Sequence, residues 1–369
     1  MWTPVLLGGA IAAGAWLLLR PLAQYRGSGG LSDVPTLSLL RFSWQVQLQS
    51  LVLWLSGVSR SLPTIPDVEQ LAGTVLRVLG NNPSRMTLRG TNVYMVGAGS
   101  TRLLVDSSDG NAVFVQTLLE VCDRHGVEEI SDLLVTHGHL DHVGGLLQLK
   151  KRFPGMKVWK YLPSAGKEGD GDGDRRLRLS NQESRRLGIR ALQDGQEFRV
   201  PGTTAGVMRT LYTPGHCTDH VCFLLDGVEE LDAPVLFSGD CVLGFGSCVF
   251  DSLADLMKSL TKLKACGAAT IYPGHGPVVK DAPAKILEYI THRQQREDEV
   301  LDVLKKHNDR QEGLSMSEIV DEVYEPLPYF LQFSARKAVD KHLQKLLTEH
   351  RVRQARRAGW FQAATYSLS

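Results

Sequence analysis

The chain has 369 residues, enough for two domains, and its 41 basic against 40 acidic residues leave a formal charge of +1. That balance excludes a global electrostatic pull toward nucleic acid or anionic membrane, so any such contact must be local. The six cysteines (Cys122, Cys217, Cys222, Cys241, Cys248 and Cys266) contain no CxxC pair, which excludes a structural zinc finger and a disulfide scaffold and reads as reduced thiols of an intracellular chain.

Residues 2–19, WTPVLLGGAIAAGAWLLL, carry no charge and are followed by Arg20 and Arg26. A run of this length is at the short limit for a membrane span, where its glycines and Pro4 would be tolerated. Positive charge on its C-terminal side would keep the body of the protein on a cytosolic or matrix-like face. No basic segment precedes it, against a secretory signal peptide. Asp33 is the sole acid before Asp67, which suits an organelle transit sequence. Residues 1–30 are therefore expected to be a membrane anchor or targeting segment, and 31–70 a linker region with an amphipathic stretch at 40–60.

From Val75 the texture changes to short apolar runs between turn residues: TVLRVLG, TNVYMVGAG and TRLLVDSS read as strands. AVFVQTLLEVCDRHG is helical, ISDLLVTHGHLDHVGG passes from strand to loop to helix start, and MKVWKYL is a strand. The polar loop that follows contains DGDGD, without the glutamate that closes a calcium loop. Strands TTAGVMRTLYTPG, HVCFLLDG and PVLFSGDCVL, helix LADLMKSLTKLKACG and strand ATIYPGHG lead to a long helix from near Ala282. Strand runs alternating with single helices predict two sheets faced by helices, an α/β catalytic domain over residues 71–290. Residues 291–369 have a helical, winged-helix-like outline: helix, helix, then two short strands around Gly359.

The stretch VTHGHLDHVGG brings His137, His139, Asp141 and His142 together at the end of an apolar strand. Each such group, buried for structural reasons alone, would need its own polar partner, whereas converging side chains of this kind hold metal ions. Two histidines two residues apart can grip one ion while Asp141 and His142 turn toward a second. Three later segments repeat the theme of a strand ending in a glycine turn that carries a ligand type: His216 in TPGHC, Asp240 in SGDC and His275 in PGHG.

This order of motifs resembles the metallo-β-lactamase-fold hydrolases, whose αβ/βα sandwich carries its site at one end between the sheets. The resemblance implies that His137, His139 and His216 hold one zinc ion, that Asp141, His142 and His275 hold a second, and that Asp240 bridges them. From Val75 to the C-terminus the chain is similar to one branch, the animal β-lactamase-like protein 2 endoribonucleases of mitochondria. The similarity runs through VLRVLGNNPSRMTLRGTNVYMVG, LYTPGHCTDHVCFLL and FSGDCVLGFGSCVFDSLADLMKSL. Two departures stand out. The family's Asp-Thr-Gly is DSSDG here, so Asp106 is expected to orient a metal-binding loop whose rigidity Ser107 and Ser108 put in doubt. Gly138 and Leu140 are smaller or more apolar than their counterparts and are expected to open the mouth of the site.

Two zinc ions roughly 3.5–4 Å apart can activate a shared water at neutral pH and stabilise the charge of the reacting group, so no serine or cysteine nucleophile is required. Asp141 and Asp240 would neutralise charge and help carry the proton. His220 is either a proton donor to the scissile group or a structural hydrogen-bond partner. The branch implies cleavage of single-stranded RNA and a mitochondrial, membrane-associated location. Local charge agrees: Arg336, Lys337, Lys341, Lys345, Arg351, Arg353, Arg356 and Arg357 face only Asp340 and Glu349, with Trp360 and Phe361 available for stacking. The same charges also fit a solvated helix face. The alternative enzyme is a thioesterase of glyoxalase II or acyl-carrier-protein type. A non-catalytic, membrane-tethered metal-binding module is a third reading, which the intact set of ligand positions disfavours.

Overall fold

The computed structural model describes residues 62–163, 178–310, 312–324, 329–356 and 364–369. The apolar run 2–19, the amphipathic stretch 40–60, the DGDGD loop, Arg357, Trp360 and Phe361 lie outside the described residues. Two units are distinguished. One comprises the chain up to Tyr212 with Asp219–Cys248 and Gly267–Ala282; the other comprises Thr213–Thr218, Val249–Cys266 and Pro283–Ser369.

The first unit contains two sheets. The larger is laid down in chain order from β1 (Val68–Ala72), β2 (Val75–Leu79), β3 (Asn92–Val96), β4 (Thr101–Val105), β5 (Glu129–Leu134), β6 (Lys157–Tyr161) and β7 (Arg190–Leu192). β1 to β4 pair antiparallel, whereas β4 to β7 are parallel. The helix α1 (Ala112–Arg124) makes the crossover from β4 to β5, and a parallel pair needs a crossover of this kind. Asn111 caps α1 by accepting from the Phe114 N–H at 3.0 Å. Phe114, Leu118, Val121 and Cys122 recur at helical spacing and bury one stripe against Leu76, Val78, Met95, Leu104 and Leu133 of the sheet. Each such side chain contributes roughly 1.5–3 kcal/mol on burial, and Leu118→Ala would cost about 2–5 kcal/mol through the cavity it leaves. The short helices α2 (Leu140–Val143), α3 (Leu146–Arg152) and α4 (Asn181–Arg186) follow β5 and β6.

The second sheet has the order β12-β11-β10-β9-β8, from β8 (Glu197–Arg199), β9 (Val207–Tyr212), β10 (Val221–Asp226), β11 (Val235–Gly239) and β12 (Thr270–Pro273). β2 and β3 are buried at every position, including the polar Arg77, which pairs with Glu69, and Asn92. Their inner residues Val75, Tyr94 and Val96 join Val105 and Leu134 in one core with Met208, Val221, Phe223 and Phe237 of the second sheet. At one end the backbones of the two sheets bond directly. Val221 N donates to Thr136 O at 2.8 Å, and Asn92 N donates to Gly274 O at 2.7 Å. Asn92 Nδ2 and the Tyr94 hydroxyl both donate to Pro273 O, at 2.9 and 2.7 Å.

The second unit contains α5 (Leu253–Lys264), nearly all of α6 (Ala282–Lys306), α7 (Met316–Val323), α8 (Tyr329–Thr348) and a three-stranded sheet ordered β13-β15-β14. Its strands are β13 (Leu314–Ser315), β14 (Val352–Arg356) and β15 (Ala364–Leu368). Val300 and Leu304 of α6, Ile319 of α7 and Val339, Leu343 and Leu346 of α8 form its core with Val352 and Tyr366. Several of the basic residues expected to face RNA have partners within this unit. Lys345 and Arg351 reach the buried carboxylate of Glu297 at 2.7 and 2.9 Å, and Lys345 also reaches Glu349 at 2.9 Å. Arg336 donates to Ser317 Oγ and Arg353 to Ser367 Oγ, both at 2.9 Å. Among the described residues no helix is long and apolar enough to cross a membrane.

Candidate metal centre

The strands of both sheets deliver their chemistry at the end where the sheets are bonded. β5 runs straight into Thr136 and His137; β11 ends at Gly239 before Asp240; β12 ends at Pro273 before His275; His220 precedes β10, which is antiparallel to its neighbours. His139 is the N-cap of α2, so Asp141 and His142 occupy its first turn. Gly239 has a left-handed φ of 47°, and a Cβ there would stand 2.7 Å from His220 Nε2, so glycine permits the close approach.

Asp106 organises one side. Its carboxylate accepts from Thr136 N and Thr136 Oγ1, each at 2.8 Å, and pairs with His142 Nδ1 at 2.7 Å. Thr136 Oγ1 in turn meets His137 Nδ1 at 3.0 Å. One carboxylate thereby orients two imidazoles and leaves the Nε2 of each toward the centre, the arrangement that outer carboxylates impose on metal-ligating histidines. The two serines that replace the usual neighbours do not loosen this loop. Ser107 N and Oγ both donate to His142 O, at 2.8 and 3.0 Å, and Ser108 Oγ donates to Gly80 O at 3.2 Å.

His137 Nε2 faces His139 Nδ1 at 2.8 Å and Asp240 Oδ2 at 4.0 Å. The other oxygen of Asp240, Oδ1, stands 3.5 Å from His142 Nε2 and 3.2 Å from His275 Nε2. Asp141 Oδ2 is 3.3 Å from His142 Nε2 and 3.2 Å from His275 Nε2. His275 Nδ1 is turned outward to Gly90 O at 3.4 Å. Two groups that could hold a metal ion fall within this unit: His137, His142 and Asp240, and Asp141, His142 and His275, with donor atoms within 4.8 Å in each. Asp240 thus presents one oxygen to each side. His216 belongs to the segment Thr213–Thr218 of the second unit, where its Nδ1 meets Val249 O at 2.7 Å, leaving Nε2 as its other donor. His220 is fully buried, and its Nε2 accepts the Asp240 N–H at 3.1 Å.

The donor set fits a divalent metal. His142 Nε2 is buried and makes no hydrogen bond although two carboxylate oxygens stand beside it. A buried polar atom so placed is costly unless a ligand satisfies it. Burial opposes the charged form of His142, but Asp141, Asp106 and Asp240 outweigh it and hold the ring well above the ordinary imidazole range. Burial likewise opposes protonation of His275, yet Asp240 and Asp141 push it up to about 9. Asp141 lies well below the usual carboxylate range, since His142 and His275 overcome the effect of burial.

Gly138 does not open the site as its size suggested. It is buried, and a Cβ would meet Asp219 Oδ2 at 2.8 Å, Lys160 Cε at 2.9 Å and Leu179 O at 3.0 Å. Asp219 and Lys160 were not marked by the motifs. The signals available were a carboxylate between His216 and His220 and a charged residue inside the apolar strand VWKYL.

Ligand-bearing loops at the joined end of a two-sheet α/β unit define a metal-dependent hydrolase. Residues 86–275 match the Metallo-beta-lactamase superfamily, and the chain belongs to it. It is 36% identical over 310 residues to the lactamase-like protein adaB of Aspergillus niger, covering 81% of this chain and 88% of that one. It is 35% identical over 286 residues to an atrochrysone carboxyl ACP thioesterase of Aspergillus fumigatus, covering 74% and 81%. A β-lactamase domain protein from Burkholderia ambifaria shares the fold, with a TM-score of 0.62 at 19% identity over 85% of this chain and 98% of that one. Fungal lactamase-like and thioesterase relatives correct the expected kinship with the animal endoribonuclease branch. The expected mitochondrial, membrane-associated location, drawn from residues 2–19 as well as from that branch, is corrected too: these relatives are fungal lactamase-like and thioesterase proteins, and among the described residues no helix is long and apolar enough to cross a membrane.

Proposed function

We propose that this hydrolase is a thioesterase that releases an acyl group from a carrier-protein or pantetheine thioester. The observation that carries the reading is the 35% identity with the Aspergillus fumigatus ACP thioesterase over most of both chains. The commitment of Lys345, 11% exposed, to Glu297 weighs against RNA cleavage, because a charge paired inside a domain is not offered to phosphates. We further propose two zinc ions, one held by His137, His139 and His216 and the other by Asp141, His142 and His275, with Asp240 between them. When bound, such ions supply Lewis acidity and lower the pKa of a bound water.

The chain's own residues then have distinct tasks. Asp106 and Thr136 orient His137 and His142. His220 holds the Asp240 backbone through its Nε2, which favours the structural reading of that residue over the proton donor. Asp141, more exposed than Asp240, is the carboxylate placed to take the proton when water adds to the thioester carbonyl and to return it to the departing thiolate. The helix–helix–hairpin outline of the second unit we read as a winged-helix-type module. The test is one metal-loaded preparation assayed on an acyl-pantetheine thioester, by thiol release, and on labelled single-stranded RNA. Thiol release with intact RNA is expected; RNA cleavage without thiol release would restore the endoribonuclease reading.

A further inference from the structure

Asp219 is a carboxylate that the ligand scheme leaves without a task. It lies in the connection from β9 to β10, is 2% exposed, and its Oδ2 accepts the Gly138 N–H at 3.1 Å. Lys160 of β6, itself 1% exposed, brings Nζ within 2.6 Å of the same oxygen, and the guanidinium of Arg178 pairs with Oδ1. Lys160 Nζ also donates to Tyr161 O at 3.3 Å. On the opposite side of the same residue, Gly138 O accepts from Leu179 N at 2.7 Å, and His139 forms an isolated bridge with Arg178. The backbone between His137 and His139 is therefore gripped at both its N–H and its carbonyl, with no space for a side chain between the grips.

A buried ion pair is a poor source of net stability. Two ions must be stripped of water, and apolar side chains of similar volume often serve as well or better. What an apolar pair cannot do is accept the Gly138 N–H. We propose that Asp219 is a positioning residue for the metal ligands: it fixes the backbone between His137 and His139 so that their ring nitrogens converge before metal arrives, while Lys160 and Arg178 hold its carboxylate in place. Asp106 orients His137 and His142 through their side chains; Asp219 acts on the backbone between His137 and His139. The inference rests on the metal-centre reading and is independent of whether the substrate is a thioester.

The test separates the hydrogen bond from the charges. Asp219→Asn/Lys160→Met keeps an acceptor for the Gly138 N–H, whereas Asp219→Leu/Lys160→Met removes it, and neither leaves a buried lysine without its counter-charge. Arg178, 21% exposed, can turn to water in both. The measurements are melting of the metal-free proteins, zinc retained during dialysis against a graded series of chelator, and the visible spectrum after Co2+ loading. The Asn variant is expected to match wild type in zinc retention and cobalt spectrum. The Leu variant is expected to bind one metal equivalent about 10–100-fold more weakly, with a cobalt spectrum altered for that equivalent alone. Asp219→Ala/Lys160→Met is measured in parallel and should show the same selective loss, so that a folding failure of the Leu variant still leaves a decisive comparison. Equal zinc retention in the Asn variant and in the variants without an acceptor, whatever their melting temperatures, would make Asp219 structural only and overturn the proposal. Wild type that holds no metal would overturn it together with the metal-centre reading, while a failure to cleave thioesters touches neither.

Discussion

Loading the metal-free protein with zinc at pH 7.5 should expel protons from the site. Carboxylates around His275 overcome its burial and raise it to about 9, and His142 is held well above the ordinary range by Asp141, Asp106 and Asp240 against the same penalty. With its value at about 9 the His275 ring is largely protonated at pH 7.5. A metal-ligating imidazole must be neutral, so this ring alone releases roughly one proton on binding, and the upward displacement of His142 acts in the same direction. The same shift makes the metal-free fold sensitive to pH. Because the folded value of His275 lies above the unfolded value of about 6.5, its contribution is fully present below that pH and is lost as pH rises through about 9. At about 1.4 kcal/mol per unit, the span amounts to at most about 3.5 kcal/mol. Calorimetric zinc titration in two non-coordinating buffers of different ionisation enthalpy gives the proton count, and urea unfolding of metal-free protein at pH 6.5 and 9.5 gives the stability change. Release of less than one proton, with stability flat across that window, would refute the electrostatic description of the site.

Gly138→Ala should destabilise the protein by about 1–3 kcal/mol, because its Cβ would enter space held by Asp219, Lys160 and Leu179, and chelator should strip metal from the variant more readily; thermal melting with and without metal checks both. In the second unit, burial favours neutral Glu297, but His342 and Lys345 outweigh it and lower its carboxyl to about 2. This folded value is depressed, so the stabilisation exists above the unfolded pKa near 4.5 and disappears as pH falls toward 2. Glu297→Gln should cost about 2–3 kcal/mol at pH 7 and almost nothing near pH 2, as read by urea unfolding at the two pH values.

Much of the site was legible because ligand types at short spacing after apolar strands have few other physical explanations. His137, His139, Asp141 and His142 are carried by one strand end and the helix that follows it, so local sequence already brings them together. Asp240 and His275 were legible through the glycines beside them. Asp219 was not, because its role depends on Lys160 from another strand and on a backbone N–H far away in sequence. β7 and β8 escaped notice because three-residue strands such as RAL and EFR bury one position each and carry no detectable period. β1, with no fully buried residue, was lost for a similar reason. The substrate class is not legible in local charge counted along the C-terminal sequence. Glu297, on α6, pairs with Lys345 and Arg351 from 48 and 54 positions away, beyond the reach of any local count.

The central claim is that the joined strand ends form a two-metal centre with the carboxylate of Asp240 serving both sides. Its most direct test is metal analysis of wild type and of Asp240→Ala, with thioester turnover measured on the same samples. Wild type should carry roughly two equivalents of a divalent transition metal, and the variant should retain less metal and lose hydrolysis, since one side chain faces both groups of ligands. Full metal content and undiminished thioester turnover in Asp240→Ala would contradict the account.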